Sequence, residues 1–514
     1  MPSWLKDAIF YEIYPQSFMD SNGDGIGDIQ GIISKLPYIA SLGCNAIWLN
    51  PVYDSPFKDA GYDVRDYLKV AERYGSNEDL YELFEKAHDM GIRVLLDLVP
   101  GHTSEEHPWF IESSRAERND LSDRYIWTDS VWHGIGGHPY ISGECERDGV
   151  YMLNFFKCQP ALNYGFAKPE LPWQQGPEDD GPMATRQALK DIMRFWLSKG
   201  CDGFRVDMAD SLVKEDDNVK SATARIWTDI RAMLDRDYPE AALVSEWGDP
   251  TLALKAGFHM DFYLDHVGNG YNTLVRDYES QGRDQSYFLK DSGGNIRRFL
   301  DDYLYRYNNS RDYGYISFIS GNHDTPRLRK NLDTAAVKLV MAFILTMPGV
   351  PFIYYGDEIG MRYLDLPTHE GGYGRTGSRS PMQWSEAANL GFSAAAPDKL
   401  YLPVDPATDA PSVEQEEKQT DSLLNCVRRL TTLRHSITDL QADGDFAVVC
   451  DGQPFVYRRG KVVCAINPSG SNVSISRSLG ISGRVLASIG DASVKVAGEC
   501  VRIDLGAQAF VVIE

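Results

Sequence analysis

Gly200-Cys201-Asp202-Gly203-Phe204-Arg205-Val206-Asp207-Met208-Ala209-Asp210 is the stretch on which the fold turns. Phe204 and Val206 form one face of a short buried strand, with Arg205 between them. The strand gives way to a loop at the carboxylate Asp207. Two other apolar runs end the same way: residues 243–245 lead into Glu246, and residues 315–320 lead into Asn322, His323 and Asp324. A single such carboxylate reads as a cap on the following helix. Three together, with Arg205 and His323 beside them, read as chemistry delivered to one face of a parallel barrel.

Outward from there, strand and helix patterns alternate. Further strand signals lie at residues 9–13, 46–49, 94–99, 261–264 and 350–354, which brings the count to eight. Amphipathic helices such as 80–88 and 188–197 lie between them. The fold expected is α/β, a (β/α)8 TIM barrel formed by residues 1–103 and 174–435. Residues 104–173 are too long for a barrel loop and are expected to form a small inserted domain after strand 3 that walls the pocket. Short strands from residue 446 onward predict a C-terminal antiparallel β-sandwich over residues 436–514.

At 514 residues the chain has room for a barrel and smaller domains. With 74 acidic against 51 basic residues the net charge is −23, which argues against nucleic acid and anionic membranes as partners. No run is long and apolar enough to span a bilayer. The eight cysteines show no metal-ligand spacing and read as buried free thiols. Cys145 and Cys158 are near enough in one polar segment for a bridge. A cytoplasmic monomer or weak homo-oligomer is the expectation.

Asp20-Ser21-Asn22-Gly23-Asp24-Gly25-Ile26-Gly27-Asp28 sets oxygen donors at alternating positions around glycine-permitted turns, as a hard cation requires. It is not an EF-hand, because Gly31 stands at the twelfth position. The other reading is a solvated Asx-rich turn.

Taken together, residues 8–18, Asp97 to His102, Gly203 to Asp207, Glu246, Asn322-His323-Asp324 and residues 349–358 are collinear with glycoside hydrolase family 13. The chain resembles that α-amylase family over nearly its whole length, and within it most resembles the oligo-1,6-glucosidase and α-glucosidase group. The resemblance implies Asp207 as nucleophile, Glu246 as general acid/base and Asp324 as the third carboxylate. It implies His102, His323, Tyr62 and Asp59 as substrate-binding residues, Asp59 gripping the non-reducing end in exo-acting members. It also implies structural Ca2+ held by Asp20, Asn22, Asp24 and Asp28 side chains and the Ile26 carbonyl. The chemistry agrees, since acetal cleavage needs one protonated and one ionised carboxyl. Arg205, on the same strand face as Asp207, is placed to keep that carboxylate ionised and so joins the substrate-site set.

Three positions depart from the family pattern. Gly101 replaces an Asn before the first histidine. Ala161 replaces an Asp, which weakens the expectation of a second metal. Met208 follows the nucleophile where relatives specific for α-1,6 bonds have Val and α-1,4-specific ones have Ala. The expected activity is a retaining exo-α-glucosidase on short isomalto- or malto-oligosaccharides. A transglucosylase, sucrose hydrolase or isomerase is the alternative on the same site. An endo-acting amylase or a non-catalytic scaffold is more remote.

Overall fold

A computed structural model describes residues 1–264, 269–277 and 282–514. Eight parallel strands form the barrel: β1 Phe10–Ile13, β2 Ala46–Leu49, β3 Arg93–Leu98, β4 Gly203–Val206, β5 Ala242–Ser245, β6 Met260–Phe262, β7 Tyr315–Ser317 and β8 Phe352–Tyr354. They pair in the order β7-β6-β5-β4-β3-β2-β1-β8. The last seam is closed by Phe352 N–H donating to the Phe318 carbonyl and Ser320 N–H to the Phe352 carbonyl. The expected TIM barrel is therefore present, with every one of the eight strand signals occupied by a strand.

Gly203 is what lets β4 lie against β5. Its φ is +143°, and a Cβ there would stand 2.0 Å from the Ala242 carbonyl oxygen. The glycine thus fixes the register Gly203↔Ala242 to Val206↔Ser245, and that register brings Asp207 and Glu246 side by side. The strand interiors are fully buried, and Phe262 and Phe352 pack edge-on at 4.9 Å across the barrel.

Helices α1 Ile29–Ser41, α2 Asn77–Asp89, α3 Asp180–Leu197, α4 Ser221–Asp237, α5 Arg297–Ser310 and α6 Thr334–Thr346 surround the sheet. Their starts follow capping chemistry: Asp28 accepts from Gly31 N–H at α1, and Ser76 and Asp79 form a capping box at α2. Between β5 and β6 the helix is reduced to the single turn Pro250–Ala253.

The segment between β3 and α3 forms the inserted domain, with a small hairpin pairing Tyr140–Ser142 with Val150–Met152. Its core is apolar: Ile126, Ile135, Val150, Met152, Ala161 and Phe166 cluster together. Ala161 is fully buried there, so the position where an Asp would offer a metal ligand is packed with hydrocarbon.

Helix α7, Leu423–Ser436, leads into a C-terminal domain of eight antiparallel strands. These are β9 Phe446–Asp451, β10 Phe455–Arg459, β11 Val462–Asn467, β12 Val473–Ser478, β13 Val485–Ile489, β14 Ala492–Ala497, β15 Cys500–Leu505 and β16 Ala509–Ile513. They form two sheets, β9-β10-β11-β16-β13 and β12-β15-β14. Two buried arginines lie near this junction: Arg434 on α7 donates to the Leu345, Met347 and Gly349 carbonyls of the barrel, and Arg459 on β10 donates to the Thr346 carbonyl of the barrel and to Gln441 of its own domain. All eight cysteines are unpaired, Cys145 and Cys158 included. Among the described residues no helix is long and apolar enough to cross a membrane.

Candidate active site

The strand ends place the chemistry. Asp207 N–H continues the β3–β4 ladder to the Leu98 carbonyl, and Glu246 N–H continues β4–β5 to the Val206 carbonyl. The two carboxyl-bearing residues are thus neighbours on parallel strands, which lie about 4.8 Å apart. That spacing suits the roughly 5 Å carboxyl separation of retaining glycosidases.

One cation serves both. Arg205, fully buried, donates from Nη1 to Asp207 Oδ1 at 3.0 Å and to Asp97 Oδ1 at 2.8 Å, while its Nη2 lies 2.8 Å from Glu246 Oε2. Asp97 also accepts from Trp48 Nε1 and from the Tyr62 hydroxyl. Burial lifts Asp207 and Glu246 each to about 7, with Arg205 opposing. Two carboxyls side by side hold one proton between them. A hydrogen bond with Glu246 acts against burial at Asp207 and favours its ionised form.

Asp324 is set differently. Its Oδ1 accepts from Arg375 Nη1 at 2.8 Å and Arg379 Nη2 at 2.9 Å. Burial alone would raise it, but the His323 ring and the two guanidinium groups outweigh that and hold its carboxyl well below the usual range.

Asp59, Tyr62, His102, Asp207, Glu246 and Asp324 line one pocket of about 350 Å³, together with Phe155, Met208, Asp210, Trp247, Leu264 and Arg375. Asp59, buried in its lining, accepts from Gln159 Nε2 at 2.7 Å with Arg375 at 3.6 Å. Burial raises it to about 6 against those two partners. Tyr62 stacks on the His323 ring at 5.2 Å. His323 sits behind the pocket wall, its Nδ1 3.1 Å from Glu12 Oε1 and its Nε2 3.6 Å from Asp324. Burial pushes the imidazole well below its ordinary value and Glu12 well above. His102 has Nε2 3.1 Å from the Tyr62 carbonyl and Nδ1 3.0 Å from Asn154 Nδ2. Burial lowers it to about 4.

The oxygen-rich loop lies apart from this pocket. Asp20 accepts four hydrogen bonds, from the amides of Asn22, Gly23 and Gly25 and from the Ser393 hydroxyl. Asn22, Asp24 and Asp28 also accept from loop amides but retain free acceptor positions. The donor set is all oxygen and suits a hard cation. Among the described residues no three carboxylate, imidazole or thiolate groups converge on one point, so such a cation would lean on the Asn22 amide and Ile26 carbonyl oxygens.

Sequence reasoning did not single out Arg375, Arg379, Gln159, Asn154 or Glu12 as site residues. Arg375 and Arg379 come from a Gly-rich loop with no periodic signal, and Asn154 and Gln159 from the inserted domain. Glu12 lies in a stretch read as a strand and as part of the family match, where a charged residue in an otherwise apolar β1 was the available clue.

A family model described as the α-amylase catalytic domain matches residues 12–443. The trehalose synthase/amylase TreS of Mycobacterium tuberculosis is 33% identical over 84% of this chain and 75% of its own length. The oligo-1,6-glucosidase of Heyndrickxia coagulans is 30% identical over 93% and 94%. Among solved structures, trehalulose synthase MutB in complex with isomaltulose superposes with a TM-score of 0.82 over 100% of this chain and 99% of that one, at 24% identity. With a carboxylate triad on the strand ends of a (β/α)8 barrel and a catalytic-domain match spanning most of its length, the chain belongs to the α-amylase family, glycoside hydrolase family 13.

Proposed function

We propose that the enzyme is a retaining exo-α-glucosidase that removes single glucosyl units from the non-reducing end of short α-glucosides, isomalto-oligosaccharides ahead of malto-oligosaccharides. The observation that supports this most is Asp59, a buried carboxylate of the pocket lining held between Gln159 and Arg375. A charged wall beyond the first sugar leaves no path for a longer glycan on that side. In the first step Glu246 gives its proton to the leaving oxygen while Asp207 attacks the anomeric carbon, breaking the C–O bond and forming a glucosyl ester. In the second, Glu246 takes a proton from water, the oxygen attacks the same carbon, and Asp207 departs as carboxylate. Asp324 accepts from ring hydroxyls in both steps.

A second reading, transfer or isomerisation instead of hydrolysis, is supported by the TreS relatives and by the apolar pocket mouth. Met208, Phe155, Trp247 and Leu264 give the pocket an apolar part, and such a wall on the leaving-group side would retain a displaced sugar in preference to water. Product analysis over time on isomaltose, maltose, sucrose, trehalose and panose, with Asp207→Asn as blank, separates the two. Glucose released first from isomaltose and panose supports the glucosidase. Isomaltose left intact while sucrose or maltose becomes new disaccharides overturns it.

We further infer that the Asp20–Asp28 loop holds structural Ca2+ through Asn22, Asp24, Asp28 and the Ile26 carbonyl, with Asp20 organising the loop. Eight unpaired thiols suit a reducing, cytoplasmic setting.

A further inference from the structure

Asn154 belongs to the inserted domain yet reaches three parts of the barrel site at once. Its Nδ2 lies 3.0 Å from His102 Nδ1 and 3.8 Å from Met208 Sδ, and its Oδ1 accepts from Lys214 Nζ at 3.4 Å. The space it occupies is the space Gly101 leaves open: a Cβ on Gly101 would stand 2.7 Å from Asn154 Nδ2. Gly101 has no left-handed φ, so backbone conformation does not require the glycine. The side chain of Asn154 does.

The three partners fix the amide. Lys214 is buried and its ammonium group can only donate, so the Asn154 oxygen faces it and the NH2 group faces the histidine. An NH2 group can only donate, so His102 Nδ1 must be the acceptor. The proton of the neutral imidazole then sits on Nε2 and points to the Tyr62 carbonyl at 3.1 Å. The second N–H of the amide meets the thioether of Met208, the residue after the nucleophile, whose own N–H donates to Glu246 Oε2 at 3.1 Å. Met is otherwise the most adaptable of apolar side chains.

We propose that Asn154 is a positioning residue: seated in the Gly101 slot and oriented by Lys214, it sets the His102 tautomer and holds Met208 against the leaving-group side of the pocket. Its catalytic consequence rests on the glycosidase reading above, but its effect on the imidazole does not. Gly101 and Asn154 therefore act as one unit, and substitutions in them are coupled.

The test combines a mutant cycle with a direct view of the ring. With p-nitrophenyl α-D-glucoside as probe, Asn154→Ala lowers kcat/KM roughly tenfold, the scale of one lost hydrogen bond. Gly101→Ala, which drives a methyl against the amide, lowers it similarly. The double variant resembles either single one instead of showing the product of the two. In 15N-histidine NMR, with His102→Gln to assign the signal, His102 Nδ1 carries the shift of an unprotonated acceptor, and Asn154→Ala moves it toward a mixture of tautomers. Thermal melting checks that each variant is folded; should Gly101→Ala not fold, the ring signal in Asn154→Ala decides. An unchanged His102 signal in folded Asn154→Ala overturns the proposal. Absence of turnover on every α-glucoside by the unmodified enzyme would sink the glucosidase reading and leave the ring measurement standing.

Discussion

Arg205 Nη2 lies 2.8 Å from Glu246 Oε2. The same guanidinium touches Asp207 and Asp97, so one buried cation meets three carboxyls. It cannot neutralise all of them, so burial, with the neighbouring carboxyls adding to it, raises both members of the dyad against the pull of Arg205. Arg205→Leu should leave Asp97, fully buried, without its counter-ion and cost about 3–5 kcal/mol. Chemical denaturation measures that loss. Arg205→Lys, a point charge in place of a fork, should retain the fold and lower kcat more than it raises KM.

The dyad makes a pH prediction. With Asp207 and Glu246 each raised to about 7 by burial, the singly protonated form is the active one. The kcat/KM profile should be bell-shaped and fall on the alkaline side near 7, where Glu246 loses the proton it must give. Glu246→Gln should abolish that limb and lower kcat by roughly 10²–10⁴ on substrates with poor leaving groups.

Stability should run against activity at the same groups. A carboxyl raised in the folded state binds its proton more tightly there than in the unfolded chain. Its contribution is therefore full below about 4 and is lost as pH rises toward 7. Glu246→Gln should stabilise the protein by about 1–3 kcal/mol at pH 8 and by little at pH 4.5. Asp324, held low by Arg375 and Arg379, contributes with the opposite sign, and its share is lost only as pH falls below about 4. Thermal melts across pH give both; a Glu246→Gln gain equal at the two pH values would contradict the assignment.

Asp59 should decide where the chain of sugars ends. Asp59→Ala removes the partner of Gln159 and Arg375 and opens the far wall. The expected result is a raised KM for disaccharides and the appearance of maltose or larger fragments from maltohexaose, read by chromatography. A product pattern of glucose alone would mean that another residue closes the pocket.

The calcium proposal separates two roles of one loop. Asp28 caps α1, so Asp28→Ala should cost about 1 kcal/mol even in chelator. Asp24 accepts from Ile26 N–H on an exposed side, so Asp24→Ala should cost little in chelator and abolish the rise in Tm that added Ca2+ gives the unmodified enzyme. No Ca2+-dependent rise in that enzyme would remove the metal from the account.

The sequence by itself determined the barrel and its three carboxylates. Each barrel strand is a short apolar run with its own local period. Asp207 and Glu246 follow such runs directly and Asp324 follows one after a short Gly-Asn-His turn, so a strand pattern locates them without knowledge of any contact. Tyr62 and Asp59 were legible only through a family motif, because nothing local marks them. What tertiary structure alone decided is which groups share a charge, a proton or a space. Arg375 meets Asp324 across 51 residues and Asp59 across more than 300. Asn154 fills the place left by Gly101 from another domain. These depend on distances between segments remote in the chain, and pKa, tautomer and pocket shape are set by such distances and by exclusion of water, neither of which leaves a periodic trace in sequence.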